Sequence, residues 1–333
     1  MTQAEKSSIW FVVVNSYAAS NTAASLWKKA EELLKKNEVF YHGIRTGNTG
    51  NAAELTFDAC MAGYRRFIAA GGDGTVHDVL NGIAAFIDWS ADYGRKISFA
   101  DFTLGVIPLG SGNDWIKSLG IRCSIEDAVD VIKNAKTGPQ DVVRVSLLDP
   151  MALPYERAFS VSYMANVGGV GLDARVCELV NAKKKQGKSG KILYVTSLIQ
   201  ALAKRKPSKV KLICDGREVF DGEYMSMSFG IGKYSGGGMR QTPDAVMDDG
   251  LLDVTLIPEL TFNRIVVEAP KLFTGNLNKV PELVLCKGKR MTVISYEGTS
   301  EPVEVDGEVI GKAPIRLEVL PQQINILLQV NKD

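Results

Sequence analysis

Disulfide chemistry has little to work with in this chain. Its five cysteines, Cys60, Cys123, Cys177, Cys214 and Cys286, are odd in number, far apart and never spaced as CxxC, so neither a disulfide framework nor a zinc site is expected. Long apolar runs are also missing, and none approaches the roughly 20 residues that a membrane-spanning helix needs. The opening MTQAEKSS lacks the basic start and apolar core of a secretion signal. A net charge of +1 gives the molecule no overall field that would select a partner. Internal repeats and low-complexity tracts are absent too. What remains is a 333-residue chain, 45% hydrophobic and 23% charged, which suits two domains with substantial cores and argues against disorder. A cytoplasmic, non-integral protein is the expectation.

Charge is unevenly distributed. Residues 183–211 hold ten Lys or Arg and no acid: Lys183, Lys184, Lys185, Lys188, Lys191, Lys204, Arg205, Lys206, Lys209 and Lys211. Two readings stay open, a solvated basic face and a surface turned toward anionic phospholipid headgroups, where each such residue contributes on the order of 1 kcal/mol. No nucleic-acid-binding motif accompanies the charge, so nucleic acid is not expected as a partner. The apolar residues Ile192, Leu193, Val195, Leu198, Ile199 and Leu202 within this segment fit either an amphipathic membrane-contacting element or ordinary core.

In the first third of the chain the hydrophobic period alternates. Residues 9–14, 39–44, 66–70 and 102–107 are strand-like runs, separated by stretches at 23–36, 51–64, 76–87 and after 114 that have helical spacing. This alternation predicts right-handed crossovers, a mostly parallel sheet and ligands at the carboxyl ends of its strands. Beyond about residue 138 the segments 142–148, 158–166, 209–214, 223–230, 251–257, 290–296, 302–305 and 315–320 are short and strand-like, with helical insertions near 170–183, 189–205 and 261–274. The predicted class is α/β: a Rossmann-like domain over residues 1–138, with 321–333 a candidate to complete it, and a β-rich domain over residues 139–320.

Two loops carry the chemistry. Gly71-Gly72-Asp73-Gly74-Thr75 lies at a strand-to-helix junction. Its glycines let backbone approach an anion, the helix N-terminus adds N–H groups and a positive dipole end, and Thr75 adds a hydroxyl. Asp73 repels phosphate on its own, so it makes sense through Mg²⁺ or on an acceptor hydroxyl. Standing alone, the pentad could also be a glycine-rich turn with an Asp cap. The second loop, Pro108-Leu109-Gly110-Ser111-Gly112-Asn113-Asp114, ends the next strand and therefore opens on the same sheet edge. Ser111, Asn113 and backbone N–H groups there could bond phosphate or ribose. Neither loop is a GxxxxGK[ST] phosphate loop or a dinucleotide-binding GxGxxG.

GGDGTVHDVLNG, followed about thirty residues on by LGVIPLGSGNDW, resembles the paired nucleotide-binding motifs of the diacylglycerol kinase catalytic-domain family, which includes sphingosine and ceramide kinases and bacterial lipid kinases. The likeness continues in family order through Asn166-Val167-Gly168-Gly169-Val170-Gly171-Leu172-Asp173, Tyr234-Ser235-Gly236-Gly237-Gly238-Met239 with Pro243-Asp244-Ala245, Asp248-Asp249-Gly250-Leu251-Leu252-Asp253, and Val305-Asp306-Gly307-Glu308. The resemblance implies an ATP- and Mg²⁺-dependent kinase that phosphorylates the hydroxyl of diacylglycerol or a related lipid. It also implies a nucleotide-binding α/β domain and a β-sandwich domain with the reactants meeting in a cleft between them. By position it places Asn15, Thr46, Gly71, Gly72, Asp73, Gly74, Thr75, Gly110, Ser111, Gly112 and Asn113 around the nucleotide. Its proton acceptor falls on Glu308, with Asp306 beside it and Asp73 in the catalytic set. A structural Mg²⁺ falls on Asp249 with the carbonyls of Val246 and Leu251. The implied partner is a lipid contacted peripherally and transiently at the membrane surface, and a homodimer is left open.

Four positions depart from the family pattern: Asn15-Ser16 stands for Asn-Pro, Asp78 for the usual Glu, Ser111 for a common Thr, and Ile231-Gly232 for a frequent Asn-Gly. NAD kinases and other soluble-substrate kinases share a GGDGT loop and form one competing reading; a non-catalytic nucleotide or lipid sensor is another. His77, following the glycine loop, could touch phosphate but is expected on the helix surface or at its cap, and His42 in a strand without a role.

Overall fold

The computed structural model describes residues 2–15, 23–47, 51–151, 157–185, 191–205, 207–296 and 301–330. Ser16, Lys188 and Lys206, named above, lie outside them. The chain divides into two compact units, Met1–Gln140 with Gln322–Asp333, and Asp141–Pro321.

In the first unit a short α1 (Gln3–Ser8) leads into β1 (Trp10–Val14), β2 (Tyr41–Arg45), β3 (Arg66–Gly71) and β4 (Thr103–Pro108). These strands are parallel in the order β4-β3-β1-β2, and residues 325–326 pair parallel with β4. Val12, Val13, Phe67, Ile68, Ala69, Ala70, Leu104 and Ile107 are buried, as continuous apolar strands must be when both faces of a parallel sheet are covered. The crossovers contain α2 (Ala23–Lys36), α3 (Ala52–Met61) and α4 (Asp73–Asp92); α5 (Asp114–Ser118) and α6 (Ile125–Asn134) follow β4. Gly82 lets α4 lie directly on α3, since a Cβ there would run into the Ala53 carbonyl and the Thr56 side chain. Helix α4 begins at Asp73, inside the glycine loop, earlier than the apolar spacing of residues 76–87 indicates.

The register aligns the strand ends. Val14 pairs with Arg45 and with Ala70, and Gly71 with Pro108. The ladder then runs one residue further, with Asn15 N–H donating to Ala70 O, Thr46 N–H to Val14 O and Leu109 N–H to Gly71 O, each at 2.9 Å. Asn15, Thr46, the Gly71 turn and the Gly110 turn therefore share one edge.

The strand pairs of the second unit are antiparallel. They are formed by β5 (Thr137–Leu148), β6 (Ala158–Met164), β7 (Val167–Gly171), β8 (Ser208–Cys214), β9 (Arg217–Gly230), β10 (Leu252–Pro258), β11 (Val284–Gly288), β12 (Arg290–Ser295), β13 (Pro302–Val305), β14 (Glu308–Lys312) and the first part of β15 (Ile315–Leu327). Strand β9 divides the sheet: its first half pairs with β8, its second with β7 and β10. The resulting leaves form a β-sandwich-like domain around Val143, Met164, Val170, Leu212, Met227, Phe229, Val254, Val293, Val305 and Ile315. Residues 167–171 are a strand, where the apolar spacing suggested a helix from about 170. Glycine explains this: a Cβ on Gly168 would lie 2.6 Å from the Glu304 carbonyl, and Gly171 has φ +85 against the Tyr224 ring. Strands β11 and β14 have no counterpart in the sequence reading.

Outside the sandwich, α7 (Leu172–Lys185), α8 (Lys191–Lys204) and α9 (Phe262–Glu268) share a small core of Leu172, Val176, Val180, Leu193, Ala201 and Met225, with Leu198, Leu202 and Ile265 packed against it. The helical stretch expected over 261–274 is broken at Pro270 into α9 and α10 (Lys271–Thr274). No helix among the described residues is long and apolar enough to cross a membrane.

Candidate active site

In the first unit, the two loops are built against each other. Gly72 caps α4, and Thr75 and Val76 donate their N–H groups to its carbonyl at 2.9 and 3.2 Å. The amides of the glycine turn thus head a 20-residue helix at its positive end. A Cβ on Gly71 would collide with the Thr75 hydroxyl, and one on Gly110 would sit 2.6 Å from Gly72 Cα. These glycines are required by close approach. Asp73 Oδ1 accepts the Trp115 N–H at 2.9 Å, which ties the first loop to the start of α5. Asn15 Nδ2 donates to Thr75 Oγ1 at 3.1 Å, and Asn113, left-handed at φ 52, donates from Nδ2 to Gly110 O at 2.7 Å. Lys117 reaches back to Gly112 O and Asp114 Oδ1, both at 2.7 Å. Asn15, Thr46, Gly71, Gly72, Asp73, Gly74, Thr75, Gly110, Gly112 and Asn113 are gathered here, with Ser111 exposed at the loop tip.

Two polar atoms at this edge are left over. Thr46 Oγ1 and Asn113 Oδ1 are buried and have no hydrogen-bond partner among the described residues. Buried polar groups are rarely left unpaired, so such atoms at a strand end fit a polar ligand. His77 is a correction to the surface role expected of it. It is buried at 7% exposure, with its ring 3.4 Å from Asn81 Nδ2.

In the second unit, the Asp306-Gly307-Glu308 turn is held from several sides. Asp306, at φ 53, accepts the Asn166 N–H on Oδ1 and the Ala165 N–H on Oδ2, both at 2.9 Å. Glu304 Oε2 accepts the Gly307 N–H at 2.9 Å, while Gly307 O accepts from Cys177 Sγ and Asn181 Nδ2 on α7. Glu308 itself is exposed. Asp173, in the first turn of α7, accepts from Ser228 Oγ at 2.5 Å and Gln241 Nε2 at 3.0 Å. Burial pushes the Glu304 carboxyl well above the usual carboxylate range; the Gly307 N–H opposes this, and the charges of Asp173, Asp306 and Glu308 reinforce it. Burial likewise raises Asp173, against its bonds from Ser228, Ser226 and Gln241. Sequence reasoning assigned no role to Glu304, Cys177 or Asn181, and quoted Asp173 only as part of a motif.

Asp249, Val246 and Leu251 lie together in the segment before β10. Asp249 is exposed and its Oδ1 accepts the Leu251 N–H at 3.0 Å, while Asp141 Oδ2 accepts the neighbouring Gly250 N–H at 2.7 Å. Among the described residues, no group of three or more His, Cys, Asp or Glu is placed to hold a metal ion. The donors on offer are one carboxylate and backbone carbonyls, oxygen-only chemistry that suits a hard cation keeping most of its water.

Comparison with known proteins agrees with this architecture. Residues 9–145 match the family profile described as diacylglycerol kinase catalytic domain, and residues 166–328 match the YegS C-terminal NAD kinase beta sandwich-like domain. The chain therefore carries a diacylglycerol kinase catalytic domain followed by a YegS-type C-terminal domain, which supports a phosphotransferase. It is 27% identical over 311 residues to a diacylglycerol kinase of Bacillus subtilis, covering 92% of each chain. It is 24% identical to a YegS-like protein of Enterobacter sp. named a "Probable lipid kinase", covering 95% of each. A crystal structure of a Bacillus anthracis diacylglycerol kinase shares the fold with a TM-score of 0.66 at 20% identity, over 96% of each chain.

Proposed function

We propose that this protein transfers the γ-phosphoryl group of ATP to the hydroxyl of diacylglycerol or a closely related lipid. The observation that carries the nucleotide half is the first unit's sheet edge, where two mutually packed glycine turns, a helix N-terminus and the unpaired Thr46 Oγ1 and Asn113 Oδ1 converge. Asn15, Thr46, Gly71, Gly72, Gly74, Thr75, Gly110, Ser111, Gly112 and Asn113 hold ATP there, with backbone amides on phosphate oxygens. Mg²⁺ bound with the nucleotide would supply neutralisation of phosphate charge, and Asp249 with the carbonyls of Val246 and Leu251 is the set that would hold a structural ion. Asp73 acts near the transferred group through its charge, held in position by the Trp115 N–H.

Glu308 is assigned as the proton acceptor. Asp306 is less suited, because each of its carboxylate oxygens already accepts a backbone N–H and its role is to shape the turn. A general base of this kind contributes about 10²–10⁴-fold. The acceptor is a lipid rather than NAD because the late Asp-Gly-Glu triplet and the Pro-Leu-Gly-Ser-Gly-Asn-Asp loop follow the lipid kinases, and transient contact with the membrane surface follows from such a substrate. The test is ATP consumption with dispersed diacylglycerol against consumption with NAD. Turnover confined to NAD overturns the lipid assignment, and ligand binding with no product in either arm leaves a sensor.

A further inference from the structure

Helix α9 carries its polarity inside out. Its charges are consumed by the protein: Arg264 makes a two-point pair with Glu282, Nε–Oε1 2.6 Å and Nη2–Oε2 2.9 Å, and reaches Glu268 Oε1 at 2.7 Å, while Lys271 holds Glu268 Oε2 at 2.6 Å. The outward residues are Phe262, Asn263, Val266, Val267 and Pro270. Phe262 is 72% exposed, Val267 64% and Val266 56%, and Phe273 on α10 continues the stripe at 58%. A surface helix ordinarily turns its apolar stripe inward, and a cluster of this kind left outside marks an interaction surface.

We propose that α9 and α10 form the face by which this protein docks on an anionic lipid bilayer, with Phe262, Val266, Val267 and Phe273 entering the interface between headgroups and acyl chains. The proposal rests on the lipid kinase reading, which requires access to an acceptor held in a membrane. Charge selects the occupant. Of the acids near the stripe, Glu268 and Glu282 are neutralised as above and Glu259 by Arg205, while the exposed Asp244 accepts a hydrogen bond from Asn278. Among the described residues, Lys204 at the end of α8, next to that Arg205 pair, and Lys279 just after α10 have no acidic partner. Uncompensated lysines therefore border the apolar centre, which complements anionic headgroups. A second copy of the same face would set uncompensated lysines against each other.

The test is co-sedimentation of the full chain with vesicles of phosphatidylcholine containing phosphatidylglycerol, and with phosphatidylcholine alone, for wild type and the double variant Phe262→Glu, Val266→Glu. Both side chains are exposed, so the variant keeps its fold, which its melting temperature and its turnover on a dispersed short-chain diacylglycerol check. The expected result is salt-sensitive binding by wild type to the anionic vesicles, weakened roughly tenfold or more in the variant, with short-chain turnover unchanged. Wild type failing to sediment, or the variant sedimenting equally well, overturns the proposal, as does a solution dimer that the variant dissociates in place of vesicle binding. Val267→Glu repeats the test should the double variant melt early. Vesicle binding through this face without any phosphorylated lipid leaves the docking surface standing and removes the kinase reading.

Discussion

Asp73 carries two separable duties, and two substitutions divide them. Its Oδ1 accepts the Trp115 N–H at 2.9 Å across the two loops, and its negative charge lies where ATP phosphates are assigned. Asparagine keeps an oxygen for Trp115 and removes the charge; alanine removes both. A hydrogen bond to a charged group contributes roughly 1.5–3 kcal/mol, and its loss leaves a Trp115 N–H unsatisfied. For a folding unit of this size that corresponds to a fall of roughly 3–10 °C in Tm for Asp73→Ala and much less for Asp73→Asn. Turnover separates differently: both variants lose ~10²-fold or more, while Asp73→Asn binds ATP at least as tightly as wild type because a like-charge repulsion has gone. Calorimetry, nucleotide titration and steady-state kinetics on the three proteins give the full comparison. Wild-type turnover by Asp73→Asn, or an Asp73→Ala variant as stable as wild type, refutes the reasoning.

Other consequences follow from the packing and the buried acids. In Gly110→Ala the new Cβ meets Gly72 Cα at 2.6 Å and Asn113 Oδ1 at 2.9 Å, whereas in Gly72→Ala the nearest neighbour, Gly110 Cα, is 3.4 Å away. Overpacking of roughly 1–3 kcal/mol predicts about 5- to 150-fold weaker ATP binding for the first and a much smaller change for the second; equal affinities in a titration contradict the cradle. The folded-state pKa of Glu304 is raised, so the stability it contributes is complete below its ordinary value and is lost as pH rises through the raised one. Glu304→Gln keeps an acceptor for the Gly307 N–H and cannot ionise, so its Tm should decline less than that of wild type over that rising-pH window; parallel curves show that Glu304 is not the group concerned.

Some of this was legible in the sequence because it is local. Apolar runs punctuated by Gly71-Gly72 and Gly110-Ser111-Gly112 between helical stretches require a parallel sheet with both turns on one edge, and the register of β3 with β4 has that form. The residues that escaped notice depend on distant partners. Nothing local marks Glu304 or Asp173 as special; β13 buries the first and α7 partly buries the second. A helix is expected from about Val170 because a glycine-rich strand has no side-chain period, and the need for glycine at Gly168 and Gly171 is visible only beside Glu304 and Tyr224. In 261–274, Ile265, Val266 and Val267 are equally apolar in sequence, and only the packing of Ile265 inward and the Arg264 ion pairs show which of them face water.

Incubation of the purified protein with γ-labelled ATP, Mg²⁺ and a total lipid extract, in parallel with the Glu308→Gln variant, bears most directly on the account. Label entering an organic-soluble phosphorylated lipid with wild type, and falling by about 10²-fold or more in a variant that still binds ATP, is the predicted result. A wild-type protein that leaves the lipid extract unlabelled, or a Glu308→Gln variant that labels it as fast as wild type, contradicts it.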